Sequence, residues 1–267
     1  MSFAMSITNQ VTSGSLSLGS APYILRNLTI GSPESKTATN NAPYQDGSTY
    51  IGSLLKETPL DIEGVISAAS FALLGTYRRA MEAVLNPKDG EAVISVVDSG
   101  TARSILAVPD PGVIFPRGRG QGPLAQRFII TMLAANPLWY DPSINSVPIV
   151  EGTPGDCDND GDWETPVTII IDGPCENPVV TNTTTGKAIK VNITLLAGET
   201  LTIATAFGGK TITKTSGGTD TNEMNNLDAT DRDFFWLERG TNTITIADDA
   251  VTDAEMTVNW YNRYLGV

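Results

Sequence analysis

From Pro166 to Leu265 the sequence is a run of short alternating segments: "VTIII", "PVVTN", "KAIKVNITL", "ETLTIATAF", "KTITKT", "FFWLE", "NTITIA" and "MTVNWYNRYL". Turn-forming pairs separate them at Gly173-Pro174, Thr185-Gly186, Ala197-Gly198, Gly208-Gly209, Gly217-Gly218 and Arg239-Gly240. A strand with one apolar face needs a second sheet to cover it, and no segment of helical length and period interrupts the series. The turn spacing is that of a sandwich, so this half is expected to fold as an antiparallel β-sandwich.

The first half reads differently. "SLSLGSAPYILRNLTIG" alternates as an early strand, and "ATNNAPYQDGSTYIG" carries turn chemistry at Asn40-Asn41 and Asp46-Gly47, which predicts a hairpin or protruding loop. A long polar segment of this kind is suited to reach a neighbour. "LDIEGVI" predicts a half-buried strand through Leu60, Ile62 and, past a slip at the glycine, Ile66. Ser70 then caps a helix with Leu73, Leu74, Tyr77, Met81, Val84 and Leu85 on its apolar face, stopped at Asn86-Pro87. Arg78 and Arg79 lie on or beside its polar face, either solvated or in an interface. "EAVISVV" and "ARSILAV" make a hairpin about "DSG", "PDPGVIFPRGRGQGP" reads as a surface loop, and Phe128 to Leu133 is a strand. Gly118, Gly120 and Gly122 lack the strand-before, helix-after context of a phosphate cradle. The turn-rich residues 141 to 165 hold the boundary, giving expected domains of 1–145 and 146–267. The fold class is mainly β, with one helix in the first domain.

Composition narrows the chemistry. The chain of 267 residues has 17 basic and 30 acidic side chains, a net charge of −13, so general affinity for nucleic acid or an anionic membrane is not expected. It contains no histidine, which removes the commonest general base and transition-metal ligand. Carboxylate-only glycoside hydrolysis survives that test, with Asp228, Asp231, Asp233 and Glu238 as candidates, although nothing in their spacing sets a pair at working separation. Cys157 and Cys175 could in principle pair, but two thiols make no disulfide framework, and free thiols in a reducing compartment are the expectation. "MSFAMSITNQ" has neither the basic nor the apolar region of a secretory signal, and no run is long enough to span a membrane. The sequons at Asn27, Asn182 and Asn192 therefore read as ordinary strand and turn residues.

"GDCDNDGDWETP", from Gly155 to Pro166, crowds five acidic side chains into one stretch. Asp156, Asp158 and Asp160 fit the first, third and fifth positions of a calcium loop, and Gly161 its sharp turn. The twelfth position is Val167 rather than a bidentate Glu, Pro166 precedes it, and no helices flank the stretch, so an EF-hand is excluded. A looser, non-helical calcium site at Asp156, Asp158 and Asp160 stays open as the alternative, and no metal site, catalytic residue or cofactor is assigned. The stretch is expected to be an extended, charged linker that enters the second domain, with Pro166 opening an edge strand.

The second half of that stretch and the strands after it resemble the C-terminal domain of distal tail proteins of long-tailed, siphovirus-type phages. The resemblance rests on the Asn-Gly-Asp element from Asn159 to Pro166, the step from Gly173 to Pro178 and the "NTTTGK" turn from Asn182 to Lys187. It continues through "LLAGETLTI" from Leu195, "FFWLERGTNTITI" from Phe234 and the closing "WYNRYL" from Trp260. Upstream, Arg78-Arg79, "VLNPKDGE" and "AANPLWYD" come in the family's order. The resemblance implies a tail-tube-like β-sandwich or split barrel first and a galectin-like sandwich second. It further implies a virion structural protein, not an enzyme: a homo-oligomer, a hexameric ring, between the tail tube protein and tail-tip, tail-associated or receptor-binding proteins. Such a ring is assembled in the bacterial host cytoplasm. If the negative charge lines the lumen, DNA would pass with little adhesion. A carbohydrate-binding module is the alternative, with Trp163, Trp236, Trp260 and Tyr261 as stacking faces, although Trp236 and Trp260 sit in alternating strands and so read as core.

Overall fold

The computed structural model describes residues 3–30, 32–116, 122–249 and 254–267. The chain divides into one compact unit of Met1–Pro142 with Leu265–Val267 and a second of Ser143–Tyr264.

The first unit opens with β1 (Phe3–Asn9), β2 (Ser15–Leu18) and β3 (Tyr23–Ile30), then a ribbon of β4 (Ser35–Asn40) and β5 (Thr49–Leu55). It continues through β6 (Thr58–Ser67), α1 (Phe71–Val84), β7 (Ala92–Asp98), β8 (Thr101–Ile114), β9 (Ala125–Ala134) and β10 (Trp139–Tyr140). One antiparallel sheet runs β2-β1-β7-β8-β9-β6-β3. The segment expected as a single early strand is split into β2 and β3 at Gly19, whose φ of 126° is open to glycine.

β8 runs longer than the sequence predicts. Residues 101 to 107 pair with β7 and residues 108 to 114 with β9, with a register shift between Pro109 and Gly112. "PDPGVI" is thus a bulged strand that carries the sheet from one partner to the next, not a loop. The Arg-Gly run at 117–121, including Gly118 and Gly120, lies outside the described residues. In β6 no slip occurs at the glycine: Thr58, Leu60, Ile62 and Ile66 are buried on one face with Gly64 in phase between them. A Cβ on Gly64 would collide with Phe128 Cζ, so the aromatic ring fills that place.

Ser70 caps α1 as expected, its hydroxyl accepting from the Leu73 amide at 3.2 Å. The last turns pack inward through Met81, Val84 and Leu85. The first turns do not: Phe71 is 69% exposed and Leu73 40%.

The second unit comprises β11 (Asn145–Val150), β12 (Gly155–Asn159), β13 (Thr165–Asp172), β14 (Cys175–Glu176), β15 (Val179–Asn182), β16 (Lys187–Val191) and β17 (Thr194–Leu195). After these come β18 (Thr200–Ala204), β19 (Thr211–Ser216), β20 (Thr219–Asn222), β21 (Leu227–Arg232), β22 (Trp236–Leu237), β23 (Gly240–Ala247) and β24 (Glu255–Trp260). One sheet runs β11-β24-β13-β18-β19-β20 and the other β12-β23-β15-β16-β21. Ile169, Ile171, Leu201, Ile203 and Val258 of the first sheet share a core with Val180, Ile189, Ile244 and Ile246 of the second. This is the sandwich that the alternation demands.

Two expectations about the acidic stretch are corrected. It is not a linker, because Gly155–Asn159 forms the edge strand β12 against β23. Pro166 does not open an edge strand either. β13 lies between β24 and β18, and Pro166 sits at its start beside Trp236, where a missing amide donor disrupts least.

Candidate functional site

The β4–β5 ribbon is the most exposed element described in the first unit, and it pairs with no other described strand. Every residue of β4 is exposed. Alternation alone would put Ile51 and Leu54 on opposite faces of β5. The pairing slips between Ala38 and Thr39, leaving Ile51 as the extra residue between Gly52, opposite Ala38, and Tyr50, opposite Thr39. The bulge brings Ile51 and Leu54 together around a shallow apolar trough that Lys36, Ala38, Gly52 and Ser53 also line. Ile51 is 66% and Leu54 74% exposed. These side chains sit on a ribbon that has no core of its own.

On α1, Arg78 lays its guanidinium over the Phe115 ring at 4.7 Å, and its Nε is buried with no hydrogen-bond partner among the described residues. Arg79 is exposed. The arginine pair is therefore split, one packed and one presented.

In the second unit three motif asparagines interlock. Asn242, fully buried, donates to the Glu238 and Gly240 carbonyls at 2.8 and 3.0 Å and accepts from the Glu238 amide at 3.0 Å. Asn182, also fully buried, donates to Asn242 Oδ1 at 3.3 Å and accepts from the Thr184 and Thr185 amides. Asn159 donates to the Trp163 carbonyl at 2.9 Å and accepts from the Gly161 amide at 3.1 Å. "NDGD", "NTTTGK" and "GTN" thus fix three turns through side chains that mimic backbone. Gly161 is required by a close approach: a Cβ there would stand 2.5 Å from the Arg263 carbonyl oxygen. Asn182 has no exposed amide for a glycan.

The acidic side chains of β12 follow the strand period. Asp158 accepts from Thr241 at 2.7 Å and Asp156 from Thr243 at 2.8 Å, each across the strand pair. Each carboxylate is thus taken up by its own threonine on the neighbouring strand rather than turned toward the other. Among the described residues no group of three Cys, Asp or Glu side chains is placed to hold a metal ion. Charge along an exposed edge also opposes pairing with another strand.

The other candidates are dispersed. Asp228 accepts from the Thr230 amide at 2.8 Å and from Asn192 at 3.1 Å, and these bonds, the backbone one foremost, hold its carboxyl down to about 2. Asp231, Asp233 and Glu238 lie on β21, in the turn after it and beyond β22, with no shared partner among the hydrogen bonds. Trp260 is buried and donates to Asn262 at 3.1 Å. Trp236 donates to the Thr205 carbonyl at 2.8 Å and lies under the Arg263 guanidinium at 5.5 Å. Trp163 is half-buried in a bridge to Arg263, and Tyr261 is 40% exposed. Cys157 and Cys175 are buried free thiols. Burial foremost, with Asp158 and Asp156 nearby, pushes Cys157 up to about 12, and burial with Asp248 takes Cys175 to about 11.

Charge is unequally shared. The sequence places 10 basic and 11 acidic residues in Met1–Pro142, against 7 and 19 in Ser143–Tyr264. Almost all of the acidic excess belongs to the sandwich.

Comparison with known proteins accounts for this arrangement. Residues 11–134 match the phage tail protein RIFT-related domain, and residues 160–264 match the C-terminal domain of the siphovirus-type tail component. No curated protein matches the sequence. Among solved structures the chain is similar to the Dit protein of phage SPP1, described as a paradigm of hub adsorption apparatus in phages that infect Gram-positive bacteria. That match has a TM-score of 0.74 at 12% identity and covers 98% of this chain and 99% of that one. A chain of the phage P2 baseplate, in its activated conformation with Ca, matches with a TM-score of 0.59 at 10% identity, over 97% and 98% of the two chains. The corresponding structure with Sr gives 0.58 at 10% identity over the same shares. With both halves matched in order, the chain belongs to the siphovirus-type phage tail component family, that of the distal tail proteins.

Proposed function

We propose that this chain is a structural adaptor of the phage tail tip, part of the virion, and works without chemistry of its own. Copies of the first unit close into a ring that docks on the tail tube protein. The second unit is displayed from that ring as the platform for tail-tip and receptor-binding proteins. Six copies is the number the family implies, and assembly takes place in the host cytoplasm.

The observation that carries this reading is the β4–β5 ribbon. An isolated two-stranded ribbon is marginal in water, and large exposed apolar side chains on such a ribbon mark a surface meant to be covered. A contact in which one copy's ribbon meets a different surface of the next copy is heterologous, and such contacts close into rings when the rotation permits. The near-neutral balance of the first unit supports close packing of copies, because like charges do not oppose it. The acidic excess of the sandwich keeps the displayed platforms apart and soluble.

Electron microscopy of the purified chain tests the proposal against a variant in which residues 35–55 are replaced by a short Gly-Ser linker. Rings for the natural chain and dispersed particles for the variant are expected. Identical rings from both would remove the ribbon from the assembly.

A further inference from the structure

The trough on the ribbon and the uncovered start of α1 are two apolar surfaces of one unit that do not meet within it. The principal packing partners of α1 are β1, β2, β6 and β8, whereas β4 and β5 pack chiefly on each other. Ile51 and Leu54 border the shallow apolar trough, and Phe71, 69% exposed at the first helical position, is a large apolar side chain left uncovered by its own chain. Around Phe71 the exposed helix surface is built of Ala72, Gly75 and Thr76, which lets another backbone approach closely. Among the described residues nothing requires a glycine at position 75: a Cβ there would meet nothing within 4 Å, yet glycine inside a helix costs about 1 kcal/mol relative to alanine.

Charge sets the direction. Asp46 at the ribbon tip and Arg79 on the helix each make no ion pair among the described residues. Arg79 is about 12 Å along the helix from Phe71, and Asp46 at most about 16 Å along the strand from Ile51. With Phe71 in the trough and the helix running toward the tip, the two charges fall within side-chain reach.

Resting on the ring reading above, we propose that the trough of one copy receives Phe71 of a second copy of this chain, with Asp46 of the first paired to Arg79 of the second. Each copy offers both surfaces, so every junction is the same and the series can close.

Cysteine crosslinking on the full chain tests this. A chain carrying both Leu54→Cys and Phe71→Cys, mildly oxidised at assembling concentration, should give a ladder of disulfide-linked multimers, and each single variant should give none. Dimers from Leu54→Cys alone would mean that ribbons pair with each other and would overturn the proposal. Phe71→Ser, an exposed change that leaves the fold intact, should raise the concentration of half-assembly roughly tenfold or more. Asp46→Arg should weaken assembly, and Arg79→Asp in the same chain should restore it. Rings that persist with Phe71→Ser, with no ladder, would overturn this contact and leave the ring reading standing. Failure of the unmodified chain to assemble would remove both.

Discussion

Replacing Asn242 with alanine should destabilise the sandwich far more than deletion of one polar side chain usually does. The residue is fully buried and takes part in four hydrogen bonds, to Glu238, Gly240 and Asn182. Truncation leaves the Asn182 side-chain donor, which is fully buried, and the Glu238 amide, at the partly buried edge of the turn, without an acceptor. Each such orphan costs about 1–3 kcal/mol, so a loss of about 3 kcal/mol is expected, with a midpoint about 10 °C lower for a domain of this size. Asn242→Asp should do no better: it keeps an acceptor but turns both donor contacts with carbonyls into repulsion, in a site that disfavours charge. Urea unfolding followed by tryptophan fluorescence suits the measurement, because Trp163, Trp236 and Trp260 all lie in the second unit and only Trp139 in the first. A change below about 0.5 kcal/mol, within the range of ordinary surface substitutions, would refute the reasoning. The "GTN" motif would then need an explanation outside the fold.

Gly161→Ala should cost about 1–3 kcal/mol, because the new methyl would press on the Arg263 backbone, which cannot turn aside as a side-chain end can. In the native protein neither cysteine should react appreciably with a thiol reagent at mildly alkaline pH, since both are buried and held at about 12 and 11; both should react on unfolding. Prompt labelling of either would contradict their placement. Acid should weaken the sandwich through Glu199 and Asp228. The Leu196 amide and Lys214 hold Glu199 to about 2, and the Thr230 amide and Asn192 hold Asp228 to about 2. Folded values below the unfolded ones give stability that is full above about pH 4.5 and is lost as pH falls toward about 2. Glu199→Gln should flatten that part of the pH–stability curve; an unchanged slope would remove Glu199 as a contributor.

Much of this molecule is legible in the sequence because burial on one face leaves a period of two. "VTIII" and "NTITI" announce strands whatever the partner, and Ser70 with Asn86-Pro87 brackets α1 by cap and stop. What escapes is set by partners distant in sequence. The edge strand β12 reads as a linker because its outward residues are Asp156 and Asp158, and only pairing with β23 makes it a strand. β8 hides behind Pro109 and Pro111, which alternation treats as breaks but a bulge absorbs. Gly64 looks like a slip because its reason, the Phe128 ring, lies on a neighbouring strand. The proposed assembly surface is half visible: the hairpin follows from Asn40-Asn41 and Asp46-Gly47, but the trough depends on a bulge that no local pattern marks. The exposed start of α1 cannot be read at all, since Leu73 fits an apolar face equally well whether that face is covered by its own chain or by another.

A ring-forming adaptor is tested most directly by the mass of the unmodified chain in solution, from light scattering across a dilution series. One closed species near six copies is expected at high concentration, falling cooperatively to the single chain on dilution, with no open-ended larger polymers. A monodisperse single chain of 28.3 kDa at every concentration would contradict it.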